Sequence, residues 1–236
     1  MDTTTTRNKL YSSIFSVCFV IFIIIASVYI VCFFNKDMLY NLLIKYDTPK
    51  NLPFSLSTPD LKKICNELMS YLFGKLDFLE TKVTINGVLT DFYSVRSKVH
   101  MGDVRNIFKN LLFLALICIA VCIYSLFRLM KDQQANIKTI KNAYTKTLII
   151  FAIIFAFLFT FAAINFDTFF IKFHQILFTN DLWLLDPSCD YIICLLPEEI
   201  FMNIGIRIAI TIIVLLLLFY LCLHILSKTQ PRQEAK

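Results

Sequence analysis

Four long apolar blocks decide most of what this chain can fold into: Tyr11–Phe34, Ile107–Phe127, Thr147–Phe166 and Ile208–Leu226. A helix needs about 20 consecutive apolar residues to cross the hydrocarbon core of a bilayer. Each block supplies such a run with at most one Lys, Arg, Asp or Glu, namely Lys109 near the start of the second. A soluble core would instead break its apolar residues into short amphipathic periods. Composition agrees: 58% of residues are hydrophobic and 17% charged, where soluble domains carry about 45–50% and about 25%. Four Gly and six Pro in 236 residues exclude a collagenous or low-complexity chain. The sequence therefore predicts an all-α membrane protein, a four-transmembrane-helix bundle with spans at 11–34, 107–129, 147–170 and 207–227. The first block is too long for a signal-peptide core and reads as a retained span, as an uncleaved signal-anchor also would.

Orientation follows from Lys and Arg in the short connections. Arg7 and Lys9 precede the first span. Arg128, Lys131, Lys138, Lys141 and Lys146 crowd the 130–146 connection and its edges, against Asp132 alone, and Lys228, Arg232 and Lys236 follow the last span. The connection from 171 to 206 holds Asp181, Asp186, Asp190, Glu198 and Glu199, with Lys172 and Arg207 at its edges. The expected topology is N-in/C-in, with 130–146 cytoplasmic. Residues 35–106 form a small extracytoplasmic α/β cap, and 171–206 an aromatic extracytoplasmic loop. The net charge of +6 is then a topology signal, and with no aromatic–basic platform there is no nucleic-acid partner. Cys18, Cys32, Cys118, Cys122 and Cys222 fall in spans and pack as small hydrophobes. Cys65, Cys189 and Cys194 fall outside them, where a Cys189–Cys194 bridge is open; no metal-ligand spacing occurs.

In the first outer segment, Thr58-Pro59-Asp60 predicts a helix start with Thr58 as N-cap. Ile64, Leu68, Tyr71, Leu72 and Leu76 follow near one face, for a helix lying on the outer leaflet or over the bundle mouth. The run from Val83 to Thr90 predicts a hairpin about Asn86-Gly87, a pair suited to a type I′ turn. Ser94 is placed to cap the helix running into the second span. The second outer segment is rich in aromatics, including the only Trp, Trp183. An interfacial belt explains most of them, but not the polar groups among them: His174, Gln175, Asn180, Asp181 and Asp186.

Of the three histidines, His224 near the end of the fourth span reads as structural. His100 and His174 flank adjacent spans at similar expected depth on the outer side. Arg96, His100 and Asp103 share a helix face. Asp103 could hold one imidazole nitrogen and fix the tautomer offered by the other, although a surface Arg–His–Asp cluster gives the same spacing. Asp167, seven residues before His174, is an acid at the end of a span and a candidate in its own right. No GxSxG, HExxH, P-loop or GxGxxG sequence is present, so two histidines working as acid and base are the economical chemistry.

These residues carry a resemblance. Tyr93-Ser94-Val95-Arg96-Ser97-Lys98-Val99-His100-Met101-Gly102-Asp103-Val104 resembles the HM-x-DV signature of the bacterial lipoprotein intramolecular transacylase (Lit) family of Gram-positive bacteria. Phe170-Ile171-Lys172-Phe173-His174 is similar to its FxxFH signature, and Phe178 to Pro187 continues the likeness through Trp183. Leu196-Pro197 and Phe201 complete it. Ser97 departs from the pattern, which has an acidic residue there. The resemblance implies an acyltransferase acting on diacylglyceryl-modified lipoproteins among membrane lipids, at the outer face of the plasma membrane. The sn-2 acyl chain would move to the α-amino group of the lipidated cysteine, giving an N-acyl S-monoacylglyceryl (lyso) lipoprotein. His100 and His174 would be catalytic; the spacing leans to His100 as base, because Asp103 can raise its basicity, and to His174 as oxyanion donor and acid. Arg96, Asp103, Asp167, Asn180, Asp181 and Trp183 would support them or bind substrate. A monomer without metal or cofactor suffices. The alternatives are a membrane lipid or lipoprotein hydrolase using the same histidines, a non-enzymatic membrane assembly factor, and a metal site on the two histidines.

Overall fold

A computed structural model describes residues 3–35, 37–132 and 136–229; the charges expected of Arg232 and Lys236 lie outside the described residues. Eight α-helices and one two-stranded sheet are present among them. Four helices are long and apolar enough to cross a membrane: α1 (Thr3–Phe33), α4 (Val95–Met130), α5 (Ile137–Ile164) and α8 (Glu198–Thr229). All four of these helices begin well ahead of their apolar blocks, α1 at Thr3. α4 starts at Val95, α5 at Ile137 and α8 at Glu198. Hydropathy locates the part of a helix suited to lipid, whereas hydrogen bonding continues through Lys, Arg and Glu, which are good helix formers. The described part of the 130–146 connection is accordingly mostly helix. In the other direction, α5 stops at Ile164. Asn165 takes a non-helical φ of −150° and its side chain accepts from the Thr168 N–H, starting a separate helix α6 (Phe166–Leu177).

The chain divides into two compact units. The first comprises 1–27, 112–161 and 209–236. Its interior is an aromatic knot: the Phe19 and Phe219 rings lie 4.0 Å apart and Tyr144 packs edge-on to Phe219 at 5.1 Å. Tyr144 is fully buried and donates its hydroxyl to the Leu216 carbonyl at 3.1 Å. Burying a phenol without such an acceptor would be costly. α1 is the most enclosed of the four long helices, while α5 turns Ile150, Ile153 and Phe157 outward. Outward-facing apolar side chains are stable only against lipid or a partner.

The second unit, 28–111 and 162–208, has a globular core. α2 (Met38–Lys45), a 3₁₀ turn (Thr48–Asn51) and α3 (Thr58–Leu72) precede a hairpin of β1 (Lys82–Ile85) and β2 (Val88–Asp91); α7 (Ile192–Leu195) comes later. Leu42, Ile64, Leu68, Val83, Phe92 and Leu195 belong to one buried cluster. α3 buries Leu61, Ile64, Cys65, Leu68 and Leu72 in this unit's core, packed against α2. Leu76 lies beyond its end. Its N-cap is Ser57, not Thr58: the Ser57 hydroxyl oxygen accepts from the Asp60 N–H at 3.2 Å, so the helix begins one residue earlier than the spacing suggested. The hairpin forms where expected, with Ile85 opposite Val88 and positive φ at Asn86 (51°) and Gly87 (81°), as a type I′ turn requires. It is held to α3 by Thr81 Oγ1 donating to Glu67 at 2.6 Å and Lys63 Nζ donating to the Lys82 carbonyl at 2.8 Å. Cys189 and Cys194 are free thiols, so the bridge left open by the sequence is not formed.

Candidate active site

Both imidazoles belong to the second unit. His100 lies in the second turn of α4, and the first turn is capped as expected: Ser94 Oγ accepts from the Ser97 N–H at 3.0 Å. His174 lies in the last turn of α6 and is the one buried residue of that helix. The two ring centroids are 6.0 Å apart, and both side chains are buried, at 5% and 8% exposure. Aromatic rings enclose them. Phe178 stands 5.1 Å from His100 and 5.6 Å from His174. Phe170 lies 3.9 Å from His174, and Trp183, itself buried, lies 5.0 Å away at a shallow 31° tilt.

The hydrogen bonds assign the His174 tautomer. Its Nδ1 is 2.7 Å from the Phe170 carbonyl oxygen. A carbonyl only accepts, so Nδ1 carries the proton and Nε2 keeps the lone pair. Burial pushes the His174 pKa below the ordinary imidazole value, opposed in part by this bond, which favours the charged ring. The ring is therefore a neutral base at neutral pH. His100 differs: its Nδ1 is buried and has no hydrogen-bond partner among the described residues. Buried polar atoms in native proteins are nearly always paired, and an exception calls for an explanation.

The supporting residues are placed differently from the expectation. Asp103 does not hold an imidazole nitrogen. It sits a helical turn from His100, and its carboxylate accepts from Asn180 Nδ2 at 3.0 Å. Arg96 reaches the 178–191 segment, donating to the Leu184 carbonyl at 3.0 Å and to the Asp181 carbonyl. Asp181 thus contributes its main chain, and its side chain is exposed. Asp167 is exposed in the first turn of α6, a favourable place for an acid beside a helix N-terminus, and is not gathered with the imidazoles. Trp183 is gathered with them, its ring tilted against that of His174. Sequence reasoning missed Asp190, which is 1% exposed. Its Oδ1 accepts from the Ser94 and Ser97 hydroxyls, the latter at 3.1 Å, and its Oδ2 from the Asp186 N–H at 2.8 Å. No local signal marks an acid whose hydroxyl partners lie more than ninety positions earlier in the chain.

Among the described residues, no group of three or more His, Cys, Asp or Glu is arranged to hold a metal ion. Two adjacent buried imidazoles, one a defined neutral base and the other with an unmatched nitrogen, are suited to moving protons in a water-poor setting.

Most of the chain is similar to solved structures of the membrane integral lipoprotein intramolecular transacylase Lit from Bacillus cereus. One aligns with a TM-score of 0.73 at 24% identity, covering 94% of this chain and 98% of that one. A form of that protein with one histidine replaced by arginine aligns at 0.72 and 24%, covering 94% and 92%. The likeness establishes a shared fold, that of a multi-pass membrane protein. No matching sequence was found among curated proteins. Residues 13–201, well over half of the chain, match the family described as lipoprotein intramolecular transacylase Lit. The chain belongs to the lipoprotein intramolecular transacylase family.

Proposed function

We propose that this lipoprotein transacylase moves the sn-2 acyl chain of a diacylglyceryl-cysteine lipoprotein onto the α-amino group of the same cysteine. The product is an N-acyl S-monoacylglyceryl lipoprotein. The observation that carries the reading is the pair His100 and His174, 6.0 Å apart and enclosed by Phe170, Phe178 and Trp183. An aromatic enclosure suits acyl chains and a glyceryl backbone, and the imidazole nitrogens suit an amine and an ester.

Amine and ester belong to one molecule, so the enzyme mainly has to fold them together. Well-oriented intramolecular pairs reach effective molarities of about 10⁵–10⁸ M. The cysteine α-amine has an ordinary pKa of about 7.7–8.0 and is largely protonated at neutral pH. The ammonium first gives one proton to solvent, and His174 Nε2, the free lone pair opposite the Phe170 hydrogen bond, takes a second from the nitrogen as the neutral amine attacks. That nitrogen forms its bond to the ester carbonyl carbon, and His100 stabilises the oxyanion. As the tetrahedral centre collapses, the acyl carbon–oxygen bond breaks and the glyceryl oxygen leaves with a proton from an imidazole. The amide forms, the glyceryl hydroxyl is restored, and no atom is gained or lost. The hydrogen bonding thus favours His174 as base and His100 as donor, the reverse of the assignment suggested by spacing. Transfer is direct, and one protomer is sufficient.

We place the termini and the 130–146 connection in the cytoplasm, which the bias of Arg7, Lys9, Arg128, Lys131, Lys138, Lys141 and Lys146 supports. Residues 35–106 and 171–206 then form the extracytoplasmic cap and loop, and the histidines meet lipoproteins anchored in the outer leaflet.

Tandem mass spectrometry of a reporter lipoprotein tests the reading in a host making only diacyl forms. With this protein expressed, parent mass should stay constant while the N-terminal fragment gains an acyl group. Loss of a fatty acid from the parent would indicate a hydrolase instead, and an unmodified reporter would refute transfer.

A further inference from the structure

We propose that Asp190 is a positioning residue for the histidine pair: its buried carboxylate clamps the 178–191 segment, which carries Phe178 and Trp183, onto the first turn of the helix that carries His100. The inference rests on the transacylase reading above. The Asp190 carboxylate makes three polar contacts, and they join two stretches far apart in sequence. The Ser94 and Ser97 hydroxyls donate to Oδ1 from the start of α4, and the Asp186 N–H donates to Oδ2 from within the segment.

Two further contacts brace the same junction. Arg96 holds the Asp181 and Leu184 carbonyls, and Asn180 donates to Asp103. Those residues are exposed or half-buried, where water competes for each hydrogen bond. Asp190 and Ser97 are buried, at 1% and 0% exposure. A carboxylate withdrawn from water is retained only where its acceptor sites are filled, and charge-assisted hydrogen bonds are the stronger kind. The first turn of α4 adds a favourable field, since a helix N-terminus attracts negative charge. Releasing the clamp frees the segment between Phe178 and Tyr191, and with it the rings that pack on both imidazoles. Asp190 does not touch the imidazoles; it acts through Phe178 and Trp183.

Ser97 and Asp190 face each other across 3.1 Å, so exchanging them moves the carboxylate to the opposite side of the same contact. Purified variants in proteoliposomes are assayed on a diacyl lipoprotein at a temperature where all remain folded. Asp190→Ser should lower kcat about 10²-fold, the scale of a misplaced catalytic group, with KM little changed. Ser97→Asp alone should also be slow, because it sets two carboxylates against each other. The double exchange, Ser97→Asp with Asp190→Ser, should recover about tenfold or more in kcat over Asp190→Ser. A merely structural role would not give a loss confined to kcat that a relocated charge repairs. If Asp190→Ser cannot be isolated folded, Asp190→Asn replaces it in both arms, with the same expectations. Wild-type kcat in the Asp190 variant, or a double exchange no faster than the single, overturns the proposal. Absence of N-acyl product from the unaltered protein would instead remove the transacylase reading itself.

Discussion

The two units bury their polar groups in different ways. In the first, hydroxyls such as Ser16 and Thr147 donate to carbonyls one turn earlier in their own helix, at 2.7 and 3.1 Å, while Tyr144 reaches the Leu216 carbonyl of another helix. In the second, besides the local bond between His174 and the Phe170 carbonyl, polar contacts join distant positions, as between Arg96 and Leu184, Asn180 and Asp103, or Ser97 and Asp190. Lipid offers no hydrogen bonds, so a spanning helix must pair its polar groups with its own backbone or with a neighbouring helix. A catalytic chamber has the opposite need. It must hold segments from several parts of the chain within an ångström or so, which takes directional contacts between them. The comparison predicts that substitutions in the second unit act on turnover, whereas those in the first act on stability.

The largest effect should come from the imidazoles. His174→Ala should lower the rate of N-acylation by about 10²–10⁴-fold, the usual worth of a positioned general base, with little change in protein yield. Mass spectrometry of the reporter measures it. The aromatic wall comes next. Trp183 shields His174 from water, and burial is the main cause of its lowered pKa. In the intact protein, histidine NMR should show His174 gaining its proton only below the ordinary value of about 6.5. The ring is thus neutral, and usable as a base, above that lowered midpoint, and is lost as a base when pH falls through it. Trp183→Ala should move the midpoint up towards the ordinary value. An unmoved midpoint would mean that Trp183 does not exclude water.

In the first unit, Tyr144→Phe removes the hydroxyl but keeps the ring in its aromatic knot, leaving the Leu216 carbonyl without this donor. The cost should be about 1–2 kcal/mol of stability, read as a lower thermal midpoint with unchanged N-acylation. The smallest effect belongs to Arg7 and Asp132, paired at 3.1 Å with Arg7 half exposed. Arg7→Gln should change stability by less than about 1 kcal/mol.

The same contrast decides what could be read in the sequence. The four long helices were legible because lipid imposes an unbroken apolar run that no other feature of this chain imitates. The hairpin was legible because Asn86-Gly87 is a local signal for a backbone conformation few other residues adopt. Helix ends were less so. Competing hydroxyls at Ser57 and Thr58 differ by one residue in position and hardly at all in chemistry, and nothing in hydropathy marks how far α4, α5 and α8 run beyond the apolar blocks. α2 and α7 are short, and tertiary packing rather than periodicity makes them helical.

At the site, His100 and His174 were identified as a pair from the topology and the family signatures. Their partners were not, since hydrogen bonding depends on which segment lies opposite. Spacing allows Asp103 to hold the imidazole nearest in sequence, or to join a surface cluster, whereas the fold brings Asn180 to it. Asp190 looked like one more acid in an acidic loop, until folding set it against Ser94 and Ser97.

The central claim is that His100 and His174 act as one unit in acyl transfer. Its most direct test is a double-mutant cycle on N-acylation rate, comparing His100→Ala, His174→Ala and the two together in folded protein. Groups that act together are non-additive when removed. The account predicts that each single variant loses most of the rate and that the double variant is scarcely slower than the worse single. Losses that multiply, or N-acylation that persists when both imidazoles are gone, would contradict it.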